Sequence, residues 1–589
     1  MTTGVSYSLL TISVQFLGAK GDGVTDDSAA FAAAAALGGV IDVPYTPNGY
    51  LINTPFALGS NTTLRGVGRP TLKTTVAGNQ IVSAAGTAGT PLANITIDGI
   101  IFQGAGSATP PNNSIGGFAS TSTGLVTLAY VNDARILNCE ASAFWNGFAT
   151  LQCTRVWVNR NRVRNWFVYG IIGSLSSEAE FDHNVVDTCD LALVVTFTGA
   201  PAAAATSATL NTAWTGTTGA YTLQFLETVS GNPEMRAVTL TNGLTTATWT
   251  TPLVNACNAT TGGSCYGIMV TGNENGSTPS KGISICHNRI WNIPAWDGVM
   301  SHDVNGLTVI GNDIRNVRNG VDITYNGTLT YLRNLVVANN YVECTTTNVW
   351  FNTGASSVGV YANGFNASYL IDTAVIANNI IRNFGNITNG NISGNPGGIV
   401  ASLINDGVVS GNLIEGTGTV GGYAGIYAPG QVNALTIIGN TLRGSHAGAG
   451  IRLAGSTVNQ LSIAANAIAQ VTATDAAVSI TTSTVASLAL GENTTNSSVP
   501  FTQTGSTLTY ANNGQGSFTP SAATSFVVTD ARATANCKVM LTPTNALAAT
   551  VQGSAKCAYI SAKAAGSFTV ATANAVAFGG TETYDYQIS

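Results

Sequence analysis

The stretch Leu307-Thr308-Val309-Ile310-Gly311-Asn312-Asp313-Ile314 decides the fold. Apolar residues stand five and three places before Asn312 and two after it (Leu307, Val309, Ile314). The same frame surrounds Asn161 (Val156, Val158, Val163), Asn288 (Ile283, Ile285, Ile290) and Asn340 (Leu335, Val337, Val342). It recurs at Asn379, Asn440, Asn466 and Asn493. Asn184 fits with Ala179, Phe181 and Val186, Asn412 fits with a glycine in the first position, and Cys139 takes the slot one turn earlier. Strict alternation of apolar and polar residues marks short strands. One such coil cannot bury its inner face alone, but a stack of coils can. An Asn at a fixed turn can hydrogen-bond the Asn of the next coil, as stacked Asn ladders do. A second strand in each period opens with glycine: GVMSH at 298, GVDIT at 320, GIVAS at 398, GIYAP at 425 and GIRLA at 450. No apolar stripe of helical period runs through this region. The prediction is an all-β chain, a right-handed parallel β-helix.

Most slot spacings lie between 23 and 39 residues, but Asn184 and Asn288 are 104 apart. An insertion over about 196–280 is therefore expected, leaving after LALVV and returning at GISIC, at the turn between the two strand types. It carries Trp214, Tyr221, Trp249 and Tyr266. The expected organisation is an N-terminal cap over 1–65 with a short helix, the β-helix over 66–510, and a C-terminal β module over 511–589. The Gly/Ser/Thr-rich stretch GQGSFTPSAATS reads as the linker to that module.

Of 589 residues only 50 are charged, 22 basic and 28 acidic, or 8% of the chain. A typical domain has about 25%. So low a charge excludes a charge-driven disordered protein, and no nucleic-acid partner is expected, because neutralising phosphates requires a basic surface. No apolar window is long enough for a transmembrane helix, so no membrane insertion is expected. The start MTTGVSYSLLTISVQF shows no basic region or cleavage site of a signal peptide. Nine cysteines, an odd count without any CxxC, argue against a full disulfide framework and against zinc, although Cys257 and Cys265 flank a short loop and could pair. No metal and no cofactor is predicted. The acids of GDGVTDD read as helix capping.

Three segments carry a resemblance. FLGAKGDGVTDDSAAFAAAAA (16–36), GGVIDVP (38–44) and NTTLRGVG (61–68) together resemble the opening of pectate-lyase-superfamily β-helix proteins, and most closely the tailspike depolymerases of bacteriophages. The tail GSFTVATANAVAFGGTETYDYQIS (566–589) resembles C-terminal β-sandwich modules of phage particle proteins. The resemblance implies a homotrimer on the phage tail of the virion, made without a signal peptide, which recognises and cleaves a bacterial surface polysaccharide such as capsule or O-antigen. The family has no fixed catalytic motif, so the resemblance names no active residue.

Chemistry must come from the frame. Residues four and two before the slot Asn face outward. Up the stack they read Trp157, Glu180, Ser284, Thr308, Val336, Val375, Val408, Thr436, and Asn159, Asp182, Cys286, Ile310, Ala338, Ala377, Ser410, Ile438. Glu180 and Asp182 are the one acidic pair, with His183 beside them and Trp157 one coil below. Paired carboxylates suit glycoside hydrolysis. A competing set lies on the Gly-led strands, where Asp322 and His302 face outward, Asp303 follows at the turn, and Asp297 and Trp296 precede Gly298. Either set is expected in a cleft walled by the insertion, with Trp214 and Trp249 as substrate-binding aromatics. Two rivals remain open. A polysaccharide lyase would draw on Arg160, Arg162 and Arg164 near His183. A non-catalytic receptor-binding fibre would need none of the acids. The neutral apolar column from Val336 upward is expected to be buried in a trimer.

Overall fold

The computed structural model describes residues 11–588 except 77–79, 106–123, 190–194, 216–217, 227–232, 254, 260–265, 273–277, 325–332, 345–356, 365–369, 386–396, 419–423, 447–448, 471–475, 498–500, 511–514, 531–532, 534 and 565. The chain forms a right-handed parallel β-helix. Its strands, from Thr11–Ser13 to Thr507–Tyr510, join one network of parallel pairings. Inward residues of the frame, such as Leu307, Val309 and Ile314, belong to one apolar core that runs from Val14 to Leu488. Each such side chain stabilises the stack by about 1.5–3 kcal/mol through burial.

The slot Asn residues form the expected ladder. Asn288 donates its backbone N–H (2.9 Å) and its side-chain amide (2.9 Å) to Oδ1 of Asn312, and its amide also reaches the Phe181 carbonyl at 2.8 Å. The pattern repeats from Asn161 to Asn493. Every one of these amides is thus satisfied, although all but the half-buried Asn493 are buried. The residue before the slot takes a left-handed backbone in coil after coil: Arg160 (φ 59°), His183 (54°), His287 (54°), Gly311 (68°), Asn339 (56°) and Gly411 (64°). Glycine and asparagine suit that conformation, so the arginine and the two histidines stand out.

The Gly-led strands form a second ladder. A Cβ at Gly298 would lie 2.6 Å from Ile314 Cγ2, and one at Gly320 would lie 2.2 Å from Val342 Cγ1 and 2.5 Å from the Gly359 carbonyl. Only glycine lets successive coils close there.

At the N-terminus the helix Ser28–Leu37 lays Phe31 on Tyr50 and Phe56, sealing the first coils. Asp27 is its N-cap residue, but its carboxylate does not cap the helix; it accepts the backbone N–H groups of Lys20 (2.6 Å) and Gly21 (3.1 Å), tying down the preceding loop. The expected capping role is corrected to that extent.

The insertion returns earlier than expected. Its four-stranded antiparallel sheet uses Ser207–Thr209, Gly219–Leu226, Pro233–Leu240 and Thr246–Trp249, around a core of its own. The chain then rejoins the helix at Tyr266–Thr271, a Gly-led strand paired with Arg162–Ser174, before Ser280–Cys286 begins the next coil. Residues 191–194 of the LALVV strand lie outside the described residues, and Val195 belongs to the insertion's core. Cys257 is buried, its Sγ donating to the Asn255 carbonyl at 3.4 Å, and Cys265 lies outside the described residues.

Beyond Tyr510 two three-stranded antiparallel sheets enclose a further core around Phe518, Phe568 and Tyr584, with the helix Ala546–Gln552 alongside. Gln515–Phe518, within the stretch read as a linker, is one of those strands. Residues 511–514 lie outside the described residues. Among the described residues no helix is long and apolar enough to cross a membrane.

Candidate active site

The first acidic set lies where the frame puts it. Trp157, Glu180, Ser284 and Thr308 are register partners in successive coils, as are Asp182 and Cys286. Glu180 is half-buried, and its Oε1 accepts from the Asn159 amide at 2.6 Å. Asp182 is held by two imidazoles: Oδ2 lies 2.6 Å from Nδ1 of His183 and Oδ1 lies 3.0 Å from Nδ1 of His287. The Arg135 guanidinium sits 4.5 Å above the Trp157 ring, covering one face of that expected sugar platform. Arg164 pairs with Glu140 at 2.7 Å, while Arg160 and Arg162 are exposed.

The second set is a different environment. The outward column of the Gly-led strands runs Ala149, Ile172, Met269, Met300, Asp322, Tyr361. Its lower members pack with Tyr169, Tyr266 and Val168 into a small apolar cluster outside the main core, with Trp296 against it. Asp297 and Asp322 stand beside this cluster. Asp297 is 1% exposed and is no turn residue; it lies inside the strand Arg289–His302 and pairs in register with Asn319. Asp322 is half-buried and accepts from Thr324 Oγ1 at 2.7 Å and the Asn319 amide at 3.2 Å. The Arg318 guanidinium lies 4.4 Å over the Trp296 ring. Tyr266 stacks on Tyr169 (centroids 5.4 Å) and takes the edge of Trp296 at 6.1 Å.

The electrostatics follow from burial. Removal from water, and then the charge of Asp322, push the Asp297 carboxyl well above its ordinary range, against the pull of Arg318 and Asn319. Burial also raises Asp322, but Thr324, Arg318 and Asn319 oppose it. Burial and the neighbouring Tyr169, Asp297 and Asp322 push the Tyr266 phenol well up. Burial holds Arg318 below its usual value. Two carboxyls coupled in this way titrate as a pair, and the more buried member keeps the proton longer.

No protein-family model matches the chain, and no curated protein matches it. Solved structures do. The chain is similar to phage tailspike proteins. The tailspike of E. coli bacteriophage HK620, in complex with a pentasaccharide, is 12% identical with a TM-score of 0.44, over 98% of this chain and 93% of that one. The Dettilon tailspike is 12% identical with a TM-score of 0.42, over 98% and 94%. The A-module of the Azotobacter vinelandii mannuronan C-5 epimerase AlgE4 is 12% identical with a TM-score of 0.33, over 84% and 99%. Likenesses this distant assign no activity, so the chemistry rests on the side chains.

Several expected site residues are placed otherwise than the sequence suggested. Trp249 is no platform: it is 5% exposed, packs tilted against Phe225 (4.9 Å) and Phe197 (6.4 Å), and donates Nε1–H to the Ala205 carbonyl at 2.8 Å. An aromatic in a sheet of this size is needed for the sheet's own core. Trp214 is half-buried against the same core. His302 lies in the outward column but is covered, and burial lowers it to about 4, so it is neutral at neutral pH. Asp303 is also fully buried, at a left-handed turn (φ 53°). Sequence reasoning missed Tyr169, Tyr266, Arg318, Asn319 and Thr324. Tyr169, Tyr266, Asp297 and Asn319 each directly precede a ladder glycine, so the column before those glycines held the signal.

Proposed function

We propose that the chain is a tailspike-type depolymerase that hydrolyses a glycosidic bond of a bacterial surface polysaccharide at Asp297 and Asp322. The observation that carries this reading is the pair of Asp297, buried, and Asp322, half-buried, beside an aromatic cluster with Arg318 over Trp296. Asp297, the more buried and more strongly raised, is the general acid. It gives its proton to the leaving glycosidic oxygen as the bond to the sugar carbon breaks. Asp322, held by two donors and open to solvent on one side, is the carboxylate that assists at the sugar carbon, as nucleophile or as base to the attacking water. Arg318, braced on Trp296, supports that anion and meets polar groups of the glycan. The low surface charge suits a neutral or mildly acidic polymer. Homotrimer assembly and a place on the phage tail belong to the same reading.

The test is incubation of the full chain with capsule or O-antigen from a panel of bacteria, followed by sizing of the products. Fragments with new reducing ends, absent with Asp297→Asn, support the reading. Products carrying the ultraviolet band of an unsaturated uronate would make the chain a lyase. Polymer that is retained but uncut by every preparation would make it a non-catalytic receptor-binding fibre.

A further inference from the structure

The second charged cluster has a chemistry of its own. Asp182, His183 and His287 bring one carboxylate and two imidazoles together on the outer surface, with their ligand atoms all within 4.8 Å of one another. Both imidazoles are more than half exposed, at 57% and 56% of their side-chain surface, and their rings lie 5.1 Å apart. We propose that this cluster is a binding site for a divalent transition metal of the zinc class.

Three features of the chain support the assignment. The first is the repeat itself. Asp182-His183-Asn184 and Cys286-His287-Asn288 occupy the same three frame positions in coils paired in register, so His183 and His287 project from equivalent turns. The second is the backbone. Both histidines hold the left-handed turn where most other coils use glycine or asparagine. The third is the space above. A Cβ at Gly311 would lie 2.9 Å from Cδ2 and 3.2 Å from Nε2 of His287, so the ring lies where the next coil has no side chain.

The donor set selects the ion. Two imidazole nitrogens and one carboxylate oxygen suit zinc, cobalt, nickel or copper and are a poor match for calcium, which takes oxygen ligands. The ion would enter at the point where the Asp182 oxygens now bridge the two Nδ1 atoms, displacing the proton of each hydrogen bond. Glu180 adds negative charge from the same strand face, and Asn159 holds both acids in place, accepting the Asp182 backbone N–H at 3.1 Å and donating to Glu180. Arg160, at the same turn one coil earlier, opposes the ion's charge, and Cys286, the register partner of Asp182, is not one of the three ligand residues. His183 and His287 stand on opposite sides of the insertion in sequence, so the ion would clamp the coil that sends the insertion out to the coil that follows it.

The experiment is zinc titration of the chelator-treated full chain by calorimetry, with cobalt absorption as a second readout. Wild type is expected to bind one ion per chain, with cobalt giving the visible bands of a nitrogen-rich site, and to melt at a higher temperature with zinc. His183→Asn and His287→Asn keep a residue that tolerates the turn. Each should weaken binding about tenfold or more, and the double variant should lose both the binding and the thermal shift. Cys286→Ser should retain binding. Wild type that takes up no zinc, or a double variant that binds as wild type does, overturns the proposal. Loss with Cys286→Ser but not with the histidine variants would also overturn it, because the site would then be a thiol site.

Discussion

The lower coils, 146–324, and the upper coils, 335–495, share one scaffold and use it differently. Before the ladder glycines the lower coils carry Asn146, Tyr169, Tyr266, Asp297 and Asn319, whereas the upper coils carry Val358, Gly397, Ala424 and Ala449. On the other outward column Trp157 and Glu180 give way to Val336, Val375 and Val408. At the left-handed turn the lower coils carry Arg160, His183, His287 and Gly311, whereas the upper coils carry Asn339, Asn378, Gly411, Gly439 and Ala465. The upper coils obey the local rules of a β-helix. The lower coils break them with buried acids and with bulky residues in a strained turn, and such breaks concentrate at functional sites. The difference teaches that in a solenoid the site is found by subtracting the repeat.

The comparison breaks first, and most visibly, on activity. Asp297→Asn and Asp322→Asn should each lower depolymerisation by about 100-fold or more. Arg452→Gln, higher on the Asp322 column and stacked on Tyr427 at 5.5 Å, should leave the rate unchanged. Initial rates of reducing-end release with matched protein concentrations check both. Equal losses in all three would show that the upper column also binds the reacting sugar.

The upper coils have their own expected role. Val375 and Val408 are 37% exposed and Ile438 is 40% exposed, all on the outward face of the Asn-slot strands. An apolar stripe of that length is stabilised by a partner, and a second and third copy of the chain fit a homotrimer. Val375→Asp with Val408→Asp should convert a trimer to monomer in sedimentation at micromolar concentration, without changing the circular dichroism. A wild-type monomer under the same conditions would remove this role from the upper coils.

The shared scaffold should respond alike in both regions. Asn312→Ala removes the acceptor of two Asn288 donors and leaves buried N–H groups unmet. Asn440→Ala does the same to Asn412. Each should cost about 1–3 kcal/mol per orphaned group in denaturant unfolding. A much smaller loss in one region would mean that its coils can relax around the missing amide.

The scaffold was legible because its signal is redundant: the slot frame recurs in coil after coil, and every outward column read from it matches the register of the strands. The insertion's return was not legible. Tyr266–Thr271 is one short strand after an irregular stretch, and its glycine, Gly267, joins the ladder only in three dimensions. Asp297 reads as a turn because Asp-Gly usually marks one, whereas Gly298 is a ladder glycine inside a strand. Trp249 could not be told from a platform, because composition does not say whether an aromatic serves a core or a ligand. His287 became a partner of Asp182 only once the register brought residues 105 apart together.

Stability against pH should separate the two acidic sets. The folded-state pKa of Asp297 lies well above its ordinary 3.8, so the folded chain binds a proton that the unfolded chain has released. That stability is fully present below about pH 4 and is lost as pH rises through the folded value. Asp297→Asn cannot ionise. Its midpoint in denaturant should therefore fall less than the wild type's as pH rises from about 4 through the folded value. Parallel curves for the two proteins would show that Asp297 is not the group that holds the proton.

The smallest expected effect tests the choice between the two sets. Glu180 is half-buried, lies on an outward face and is anchored by Asn159, so Glu180→Gln keeps its shape and strands no charge. Surface changes of this kind usually alter stability by about 0.5 kcal/mol or less. Its depolymerisation rate should stay within about twofold of wild type, since it stands on the Asn-slot strands, apart from the Asp297 and Asp322 pair on the Gly-led strands. Paired carboxylates alone would favour Glu180 with Asp182, as a reading of the outward columns does. The structure gives Asp182 to two imidazoles and gives Asp297 a carboxylate partner, an arginine and an aromatic wall. A Glu180→Gln chain that folds normally yet loses activity as Asp297→Asn does would place the reaction on the Asn-slot strands and leave the buried pair a structural one.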